Sequence, residues 1–407
     1  APLRFLGWLG KGPMPGILPM AIGRRLYDAL AGAAPALPPG AVVTGAAFER
    51  AFPFLKRRYR GALCLGEARI LMPERVAVEL VEDAVAASPR SAALNYCALV
   101  GRQGDRLEIE DRVAGRRLGV TSGIVVNAAG AHADKVAALL GVETAMTGGV
   151  AGVHLVLDAP ALAATLGVDL LVFEDDNADP VRRRLLVCYR LGGDRVLLGT
   201  TETPLDDPDA ASVTAADEAY LAGALAAALP GTDTRGTIVG RLVGVRPLMR
   251  SAEANVTSRS RDHAVLVDEA HGLTMVTIIG GKWTTFRRMA EDAADAVLAK
   301  LERRRSVSTR DLPIGGGRDY PATASERQAR IEALVGPRID RDLAARLFDI
   351  YGTRAGRVAA YVAAFGAGPV RAGLALTAGE VAFFRAAELA TSDEDCFRRR
   401  SDAALLG

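Results

Sequence analysis

The sequence predicts an α/β protein in which a doubly wound domain is interrupted by an inserted antiparallel sheet and followed by a helical C-terminal domain. Residues 273–279 form a β-branched apolar run, stop at Gly280-Gly281 and lead into an amphipathic helix. Between residues 148 and 248, short apolar strands and a Gly192-Gly193 hairpin replace the strand–helix alternation. From residue 326 onward, only helical periodicity is found.

Composition sets the outer limits of this interpretation. A chain of 407 residues, 50% hydrophobic and 24% charged, can bury the cores of two or three domains. The net charge of +2 gives no argument for nucleic acid. The four cysteines are far apart and form no Cys-x-x-Cys pair, so we expect reduced structural thiols, no metal site and a cytoplasmic protein. No apolar run reaches transmembrane length, and no signal peptide is visible.

The first residues give few structural clues. The chain begins with Ala, and residues 1–22 mix Trp8 and leucines with prolines, which predicts a loop followed by a short helix over residues 22–30. A packed connecting segment is the favoured interpretation of residues 1–22. The alternative is a membrane-surface role, because apolar residues are mixed with Lys and Arg there.

The next part reads as alternating helices and strands. We expect a helix over residues 76–87, a strand over 92–100 and hairpin strands at 106–109 and 116–120. A buried strand from residue 123 then ends in small residues, including Ala129 and Gly130, before a helix over 133–140. Small residues at the carboxyl end of a parallel strand admit a ligand closely. Tight strand–helix packing explains them equally well.

The inserted sheet is predicted from short strands and one helix. These elements are expected over residues 153–157, 185–189, 195–199, 214–229 and 240–248. An antiparallel sheet inserted between two parts of an α/β domain makes a cleft at their junction.

The turn after residue 279 is suited to an electron-rich or anionic ligand. Glycines allow close backbone approach, and the helix start, capped by Thr284 or Thr285, presents free N–H groups. Lys282 adds a full charge. An ordinary βα turn with a surface lysine explains Gly-Gly-Lys about equally well. However, only five of the 50 Lys and Arg residues are lysines. A lysine here is therefore suited to chemistry that Arg performs poorly.

Two arginines complete a candidate anion site. Arg246 and Arg261 lie, like Lys282, near the ends of predicted strands. The guanidinium fork fits phosphate or carboxylate. Three convergent cations would bind a small dianion, although each Arg taken alone is more often a surface residue.

Several motifs together resemble the FAD-dependent glycerol-3-phosphate dehydrogenases, over nearly the whole chain. They are Gly66-Glu-Ala-Arg69, Asn95-Tyr96, Val125-Val-Asn-Ala-Ala-Gly130, Gly199-Thr-Thr-Glu-Thr-Pro204, Gly244-Val-Arg-Pro-Leu248, Ser260-Arg-Asp-His263, Gly280-Gly-Lys-Trp-Thr-Thr-Phe-Arg287, Tyr351-Gly-Thr-Arg-Ala355 and Asp395-Cys-Phe-Arg-Arg-Arg400. The combination is specific, whereas no single motif is.

The resemblance implies oxidation of sn-glycerol 3-phosphate to dihydroxyacetone phosphate by FAD, with electrons passed to a quinone. It implies that Arg246 and Arg261 bind the substrate phosphate and that Lys282 acts beside the flavin. Gly280, Gly281, Trp283 and Thr284 would lie along the flavin ring and ribityl chain, and Ala129 and Gly130 near the nucleotide. A peripheral contact with the inner membrane face and a homodimer are further expectations.

The predicted domains follow from this assignment. They are an FAD-binding domain over residues 1–147, a substrate domain over 148–243, a return to the FAD-binding domain over 244–305, and a helical domain over 318–407 after a glycine-rich linker. The five helices expected in the last domain cover residues 326–334, 341–351, 354–364, 379–390 and 394–405.

The sequence departs from the family pattern at several points. Glu202 replaces the usual Asp, and His154 keeps the histidine of a Lys-Gly-Ser-His-like motif while Ala151-Gly152-Val153 replaces the rest. No strand–G-x-G-x-x-G–helix unit is found, so the FAD-binding domain is expected to be incomplete and the chain N-terminally truncated. We therefore expect the chain as given to be colourless, inactive and prone to aggregate.

Two other functions are alternatives to a quinone-linked dehydrogenase. One is a flavin oxidase that passes electrons to oxygen, acting on glycerol 3-phosphate or on another small hydroxy or amino acid. The other is a non-catalytic remnant that retains the fold for interaction.

Overall fold

The computed structural model describes residues 2–3, 17–31, 40–66, 70, 72–166, 168–177, 183–250 and 262–406. Contacts divide the chain into two compact units. The first comprises residues 1–68, 101–107 and 120–305, and the second comprises residues 69–100, 108–119 and 306–407. The described part contains α-helices, β-strands, several short 3-10 turns and one π-turn.

The elements are numbered in chain order. The strands are β1 (Pro2–Leu3), β2 (Ala41–Thr44), β3 (Gly61–Cys64), β4 (Cys97–Gln103), β5 (Arg106–Asp111), β6 (Arg116–Thr121), β7 (Ile124–Asn127), β8 (Thr147–Asp158), β9 (Leu170–Glu174), β10 (Leu185–Gly192), β11 (Arg195–Gly199), β12 (Thr203–Pro204), β13 (Thr237–Met249), β14 (His263–Ala270) and β15 (Leu273–Gly280). The helices are α1 (Ile17–Ala31), α2 (Gly45–Ala51), α3 (Pro73–Ala86), α4 (Ala133–Leu139), α5 (Pro160–Thr165), α6 (Ala215–Ala228), α7 (Phe286–Lys300), α8 (Ala324–Glu332), α9 (Arg341–Tyr351), α10 (Ala355–Phe365), α11 (Ala378–Ala387) and α12 (Ala403–Leu406).

The predicted inserted sheet is present and is built around β8. β8 pairs antiparallel with β11 and β12 on one side and with β13 on the other, and β10 and β9 extend the sheet beyond β11. Alternate residues of β8, Val153, Leu155 and Leu157, enter a core that includes α6 residues such as Leu221 and Leu225. The opposite face of β8 carries Val150, Gly152, His154 and Val156, and both valines are buried. The expected domain boundary at residues 243 and 244 lies within β13.

A second sheet in the first unit has the order β14-β15-β7. β15 pairs antiparallel with β14 and parallel with β7, as an α/β domain requires. The prediction that the strand after residue 123 is buried is wrong in part. β7 is an edge strand among the described residues, and Val126 is 48% exposed.

Helices α8 to α12 dominate the second unit, together with α3. Leu347, Phe348, Val358, Val362 and Phe384 are among the buried residues of its core. The expected helix over residues 394–405 is instead a π-turn, Asp395–Arg399, followed by the short α12.

The glycine-rich stretch before α8 is not a free linker. The Gly315 N–H donates to Asp83 at 2.8 Å, and the Gly316 N–H donates to Glu79 at 2.7 Å. Both acceptors lie on α3, so two acidic side chains fix this stretch against that helix. A side chain at Gly316 would also collide with the Tyr351 carbonyl, 2.0 Å from its Cβ position.

Candidate functional site

The predicted glycine turn follows β15 as expected. Gly280 and Gly281 have φ angles of +76° and +87°, which L-residues with side chains rarely adopt. A Cβ at Gly280 would lie 2.4 Å from the Asp262 carbonyl oxygen, and one at Gly281 would lie 2.4 Å from Met289 Sδ. The turn is therefore restricted to glycine by both conformation and space.

Lys282 and Trp283 are exposed immediately after this turn. The structure records no ion pair for the Lys282 ammonium group within the described residues. Trp283 lies against Phe286, with ring centroids 5.8 Å apart. A point charge and an aromatic ring are thus presented together at the start of α7.

The predicted threonine cap takes a different form. Thr285 is the residue that precedes α7, but its hydroxyl makes no capping bond to the helix N–H groups. It accepts from the Lys282 N–H at 3.1 Å and donates to the Lys282 carbonyl at 2.9 Å. The hydroxyl therefore closes a 3-10 turn over Trp283–Thr285 and leaves the first N–H groups of α7 without a side-chain cap.

Ala129 and Gly130 lie after β7, as the sequence predicts. Asn127 is buried; its side-chain amide donates to the Ala133 carbonyl at 2.9 Å, and its amide oxygen accepts from the Ala129 N–H at 3.3 Å. Gly130 has a φ angle of +59°, and no atom lies within 4 Å of its Cβ position. This backbone bend is thus fixed by Asn127 and open on one side.

Arg246 lies on β13 opposite Val150, on the face of the sheet that also carries Gly152. Its Nη2 donates to Thr200 Oγ1 at 3.3 Å, and its Nη1 is 3.8 Å from Glu202 Oε1. Gly152 leaves room for the guanidinium, whose two Nη atoms lie 3.1 Å from the Gly152 Cβ position. The guanidinium therefore lies beside a hydroxyl and a carboxylate of the chain itself, and a guanidinium fork is of the kind that binds an anion.

His154 is the residue that sequence reasoning noted without assigning it to the site. It lies two positions after Gly152 on the same face of β8, and its ring contacts the Cβ position of Gly199 on β11. Burial, reinforced by the charge of Arg246, lowers the pKa of His154. Its imidazole is therefore neutral at pH 7 and able to accept a proton.

The turn and the Arg246 face lie in the same compact unit. β13 packs against β15 and against the Gly130–His132 turn. Whether Arg246 and Lys282 face one cleft stays a prediction, and Arg261 lies outside the described residues. No group of three His, Cys, Asp or Glu side chains is placed to hold a metal ion in the part of the chain that the structure describes. In that part, every helix is too short or too polar to cross a bilayer.

Comparison with known families and proteins agrees with this architecture. Residues 11–287 match the family model of the FAD dependent oxidoreductases, and residues 307–407 match that of the C-terminal domain of alpha-glycerophosphate oxidase. An X-ray structure of the glycerol-3-phosphate dehydrogenase from Bacillus halodurans complexed with FAD superimposes with a TM-score of 0.69. It covers 90% of this chain and 73% of that one at 22% identity, and it shows the shared fold.

Curated relatives carry the same name. A glycerol-3-phosphate dehydrogenase of Synechocystis is 27% identical over 94% of this chain and 71% of its own length. The mitochondrial enzyme of Arabidopsis thaliana is 29% identical over 79% and 53%, and glycerol-3-phosphate dehydrogenase 2 of Mycobacterium bovis is 30% identical over 94% and 64%. The chain thus spans between about half and about seven tenths of these relatives' lengths. It belongs to the FAD dependent oxidoreductase family, and the relatives that it resembles are named glycerol-3-phosphate dehydrogenases.

Proposed function

We propose that this chain binds glycerol 3-phosphate on the Arg246 face of β8 and β13 and takes part in its FAD-dependent oxidation to dihydroxyacetone phosphate. The observation that carries the proposal is the arrangement of Arg246, Gly152 and His154. A fixed guanidinium is suited to the phosphate dianion, a glycine leaves room, and a neutral imidazole lies next along the strand.

The residues present suit this chemistry in distinct ways. Arg246 would hold the phosphate through charge-assisted hydrogen bonds, with Arg261 and Lys282 as the further cations that the resemblance assigns to the site. The oxidation removes one proton from the secondary hydroxyl and a hydride from the same carbon. His154 is the group we propose as acceptor of the hydroxyl proton, because its lowered pKa keeps it unprotonated.

The backbone fits a flat, electron-rich group at two places. Gly280, Gly281, Trp283 and Thr284 would lie along the flavin ring and ribityl chain, and Ala129 and Gly130 near the nucleotide. The open Cβ position of Gly130 and the exposed Lys282 are the observations that support this assignment. When bound, FAD supplies the two-electron acceptor for the substrate hydride.

A quinone is the proposed second electron acceptor, reached at the inner face of a membrane through peripheral contact, with a homodimer as the proposed assembly. The family resemblance supports all three. The direct test is steady-state turnover by the flavin-loaded natural protein, with glycerol 3-phosphate or glycerol as donor and a soluble quinone analogue or oxygen as acceptor. We expect turnover with glycerol 3-phosphate and the quinone analogue. Equal rates with glycerol would overturn the phosphate site, and a preference for oxygen would make the protein an oxidase.

A further inference from the structure

His263 lies beside the glycine turn and has no role in the proposed oxidation. It is the first residue of β14 and pairs with Gly280, the last residue of β15. A Cβ at Gly281 would lie 3.3 Å from the His263 Cβ, so the start of β14 is in contact with the turn. Any group that fixes His263 therefore also constrains the turn.

The His263 ring reaches from β14 to α7. Its Nε2 lies 2.8 Å from Oδ2 of Asp292, which is in the second turn of α7. A carboxylate only accepts hydrogen bonds, so Nε2 carries the proton and donates it to this bond. The two side chains are 19% and 27% exposed, so water competes less for this bond than for an ion pair on the surface.

Asp292 is itself oriented by its own helix. Arg288, one turn earlier on α7, donates from Nε to Asp292 Oδ2 at 3.0 Å and places Nη2 2.8 Å from Oδ1. This two-point contact fixes the carboxylate on α7. His263 therefore donates to an acceptor that is already held in place, and the pair of His263 and Asp292 joins β14 to α7.

The turn between β15 and α7 is short and contains glycine. β15 ends at Gly280 and α7 begins at Phe286, so only residues 281–285 separate them, and these present Lys282 and Trp283. Glycine leaves the backbone many accessible conformations. A bond from β14 to α7 restricts them, because it fixes the helix relative to the strand from which the turn departs.

We propose that His263 is a positioning residue for the flavin. Through Asp292 it holds α7 against the end of β15 and keeps Lys282 and Trp283 where the flavin ring would lie. A turn fixed in this way loses less conformational freedom when FAD binds, so the affinity for FAD is higher. The inference rests on the proposed function, since the turn is there assigned to the flavin.

The test is titration of the flavin-free natural protein with FAD, together with amide hydrogen exchange measured without FAD. His263→Phe retains a ring but removes the bond, so we expect about tenfold weaker FAD binding and faster exchange over residues 280–286. His263→Gln should restore most of both properties, because its amide offers Asp292 an N–H donor. Asp292→Ala should reproduce the loss, and His263→Phe/Asp292→Ala should lose no more than either single variant.

Lys300→Met is the matched control. It breaks the exposed ion pair of Lys300 with Glu269, which joins α7 to β14 at their other ends. This variant should bind FAD like the wild type and show unchanged exchange over the turn, and urea unfolding should report the stability that each variant loses.

The outcomes separate this inference from the proposed function. Equal FAD affinity in His263→Phe and the wild type would overturn the inference alone. So would an equal loss of affinity in Lys300→Met and His263→Phe, since general destabilisation would then explain both. A wild type that binds no FAD would overturn the proposed function and this inference together.

Discussion

Gly152 shows how one missing side chain shapes the proposed substrate site. Its Cβ position lies 2.7 Å from Thr200 Oγ1 and 3.1 Å from both Nη atoms of Arg246. A methyl group there must displace the Thr200 hydroxyl, which accepts a hydrogen bond from Arg246, and it crowds the guanidinium as well. The proposed phosphate site therefore depends on the small size of Gly152 as well as on the charge of Arg246.

We expect Gly152→Ala to raise KM for glycerol 3-phosphate by about tenfold, the equivalent of one weakened charge-assisted hydrogen bond. Gly244→Ala is the matched control, because Gly244 faces Gly152 across the two strands and no atom lies within 4 Å of its Cβ position. Steady-state kinetics on the two variants decide the point. An unchanged KM in Gly152→Ala would remove Arg246 from the substrate site.

The lowered pKa of His154 predicts a particular pH dependence. If neutral His154 accepts the substrate proton, kcat/KM falls as pH drops through its pKa, and this fall lies below the ordinary value of about 6.5. Burial is the larger cause of the lowered His154 pKa, and it remains in Arg246→Gln. The variant removes the positive charge that also lowers this pKa, so the fall of kcat/KM should move to higher pH. The same profile in wild type, Arg246→Gln and His154→Asn would show that another group accepts the proton.

At the scale of elements, the β15–α7 turn is the part that the sequence predicted best. A β-branched run, two glycines and an amphipathic helix are local features, and each is visible in the order of residues. The predicted side-chain cap of α7 is absent, because the Thr285 hydroxyl forms its hydrogen bonds with the backbone of Lys282. These bonds depend on the 3-10 turn before the helix, which the sequence does not reveal.

Gly281→Ala should destabilise this turn by about 1–3 kcal/mol, because alanine is strained at a φ angle of +87° and its methyl group meets Met289. Gly123→Ala, at a position with no atom within 4 Å of Cβ, should change the free energy of unfolding by much less. Urea unfolding of both variants measures the difference. Adding Met289→Ala should recover the part of the loss that is steric, and no recovery would assign the loss to backbone strain alone.

The ends of strands were harder to predict where the strand contains glycines or where pairing with a distant strand sets its length. β8 begins at Thr147, six residues before the expected start, because Gly148, Gly149 and Gly152 carry no strand pattern although they pair with β13. β4 begins at Cys97 instead of residue 92. Tyr96 adopts a φ angle of +55° while its hydroxyl donates to Asp395 at 2.7 Å, a partner 299 residues away that no local pattern reveals.

At the scale of the whole molecule, fold class was predictable and parts of the site were not. The helical periodicity predicted both ends of α9 correctly, because the apolar residues of this helix lie along one face. Arg246 and the Lys282 turn were predicted as site residues from residue type and family motifs, and this assignment stays a prediction. His154 was not assigned, because the role proposed for it rests on neighbours on β11 and β13 that strand pairing brings to it. A histidine two residues after a glycine in an apolar strand is the signal available in the sequence.

The second unit depends on buried charges that the sequence presents only as scattered Arg and Glu residues. Arg75 is buried, lies 2.5 Å from buried Glu388 and stacks over the Tyr351 ring at 4.8 Å. Removing one partner leaves the other charge buried and poorly compensated. This pair joins α3 to the end of α11, so the unit is expected to tolerate the loss of both partners better than the loss of one.

We expect Arg75→Met to lower the free energy of unfolding of this unit by about 3–5 kcal/mol. Arg385→Met, which breaks the exposed pair with Asp393, should cost at most about 1 kcal/mol. Denaturant unfolding followed by helix content measures both. Arg75→Met/Glu388→Leu should recover much of the loss, and equal stability of the two single variants would contradict a structural role for the buried pair.

The central claim is that Arg246 binds the phosphate of glycerol 3-phosphate. Its most direct test is anaerobic titration of the flavin-loaded natural protein with glycerol 3-phosphate, following the loss of oxidised flavin absorbance in wild type, Arg246→Ala and Arg241→Ala. Arg241 is the control, because it lies on the same strand and forms an exposed pair with Glu218. We predict that Arg246→Ala requires roughly tenfold more substrate or greater, while Arg241→Ala matches the wild type. Identical titrations for Arg246→Ala and wild type would contradict the account.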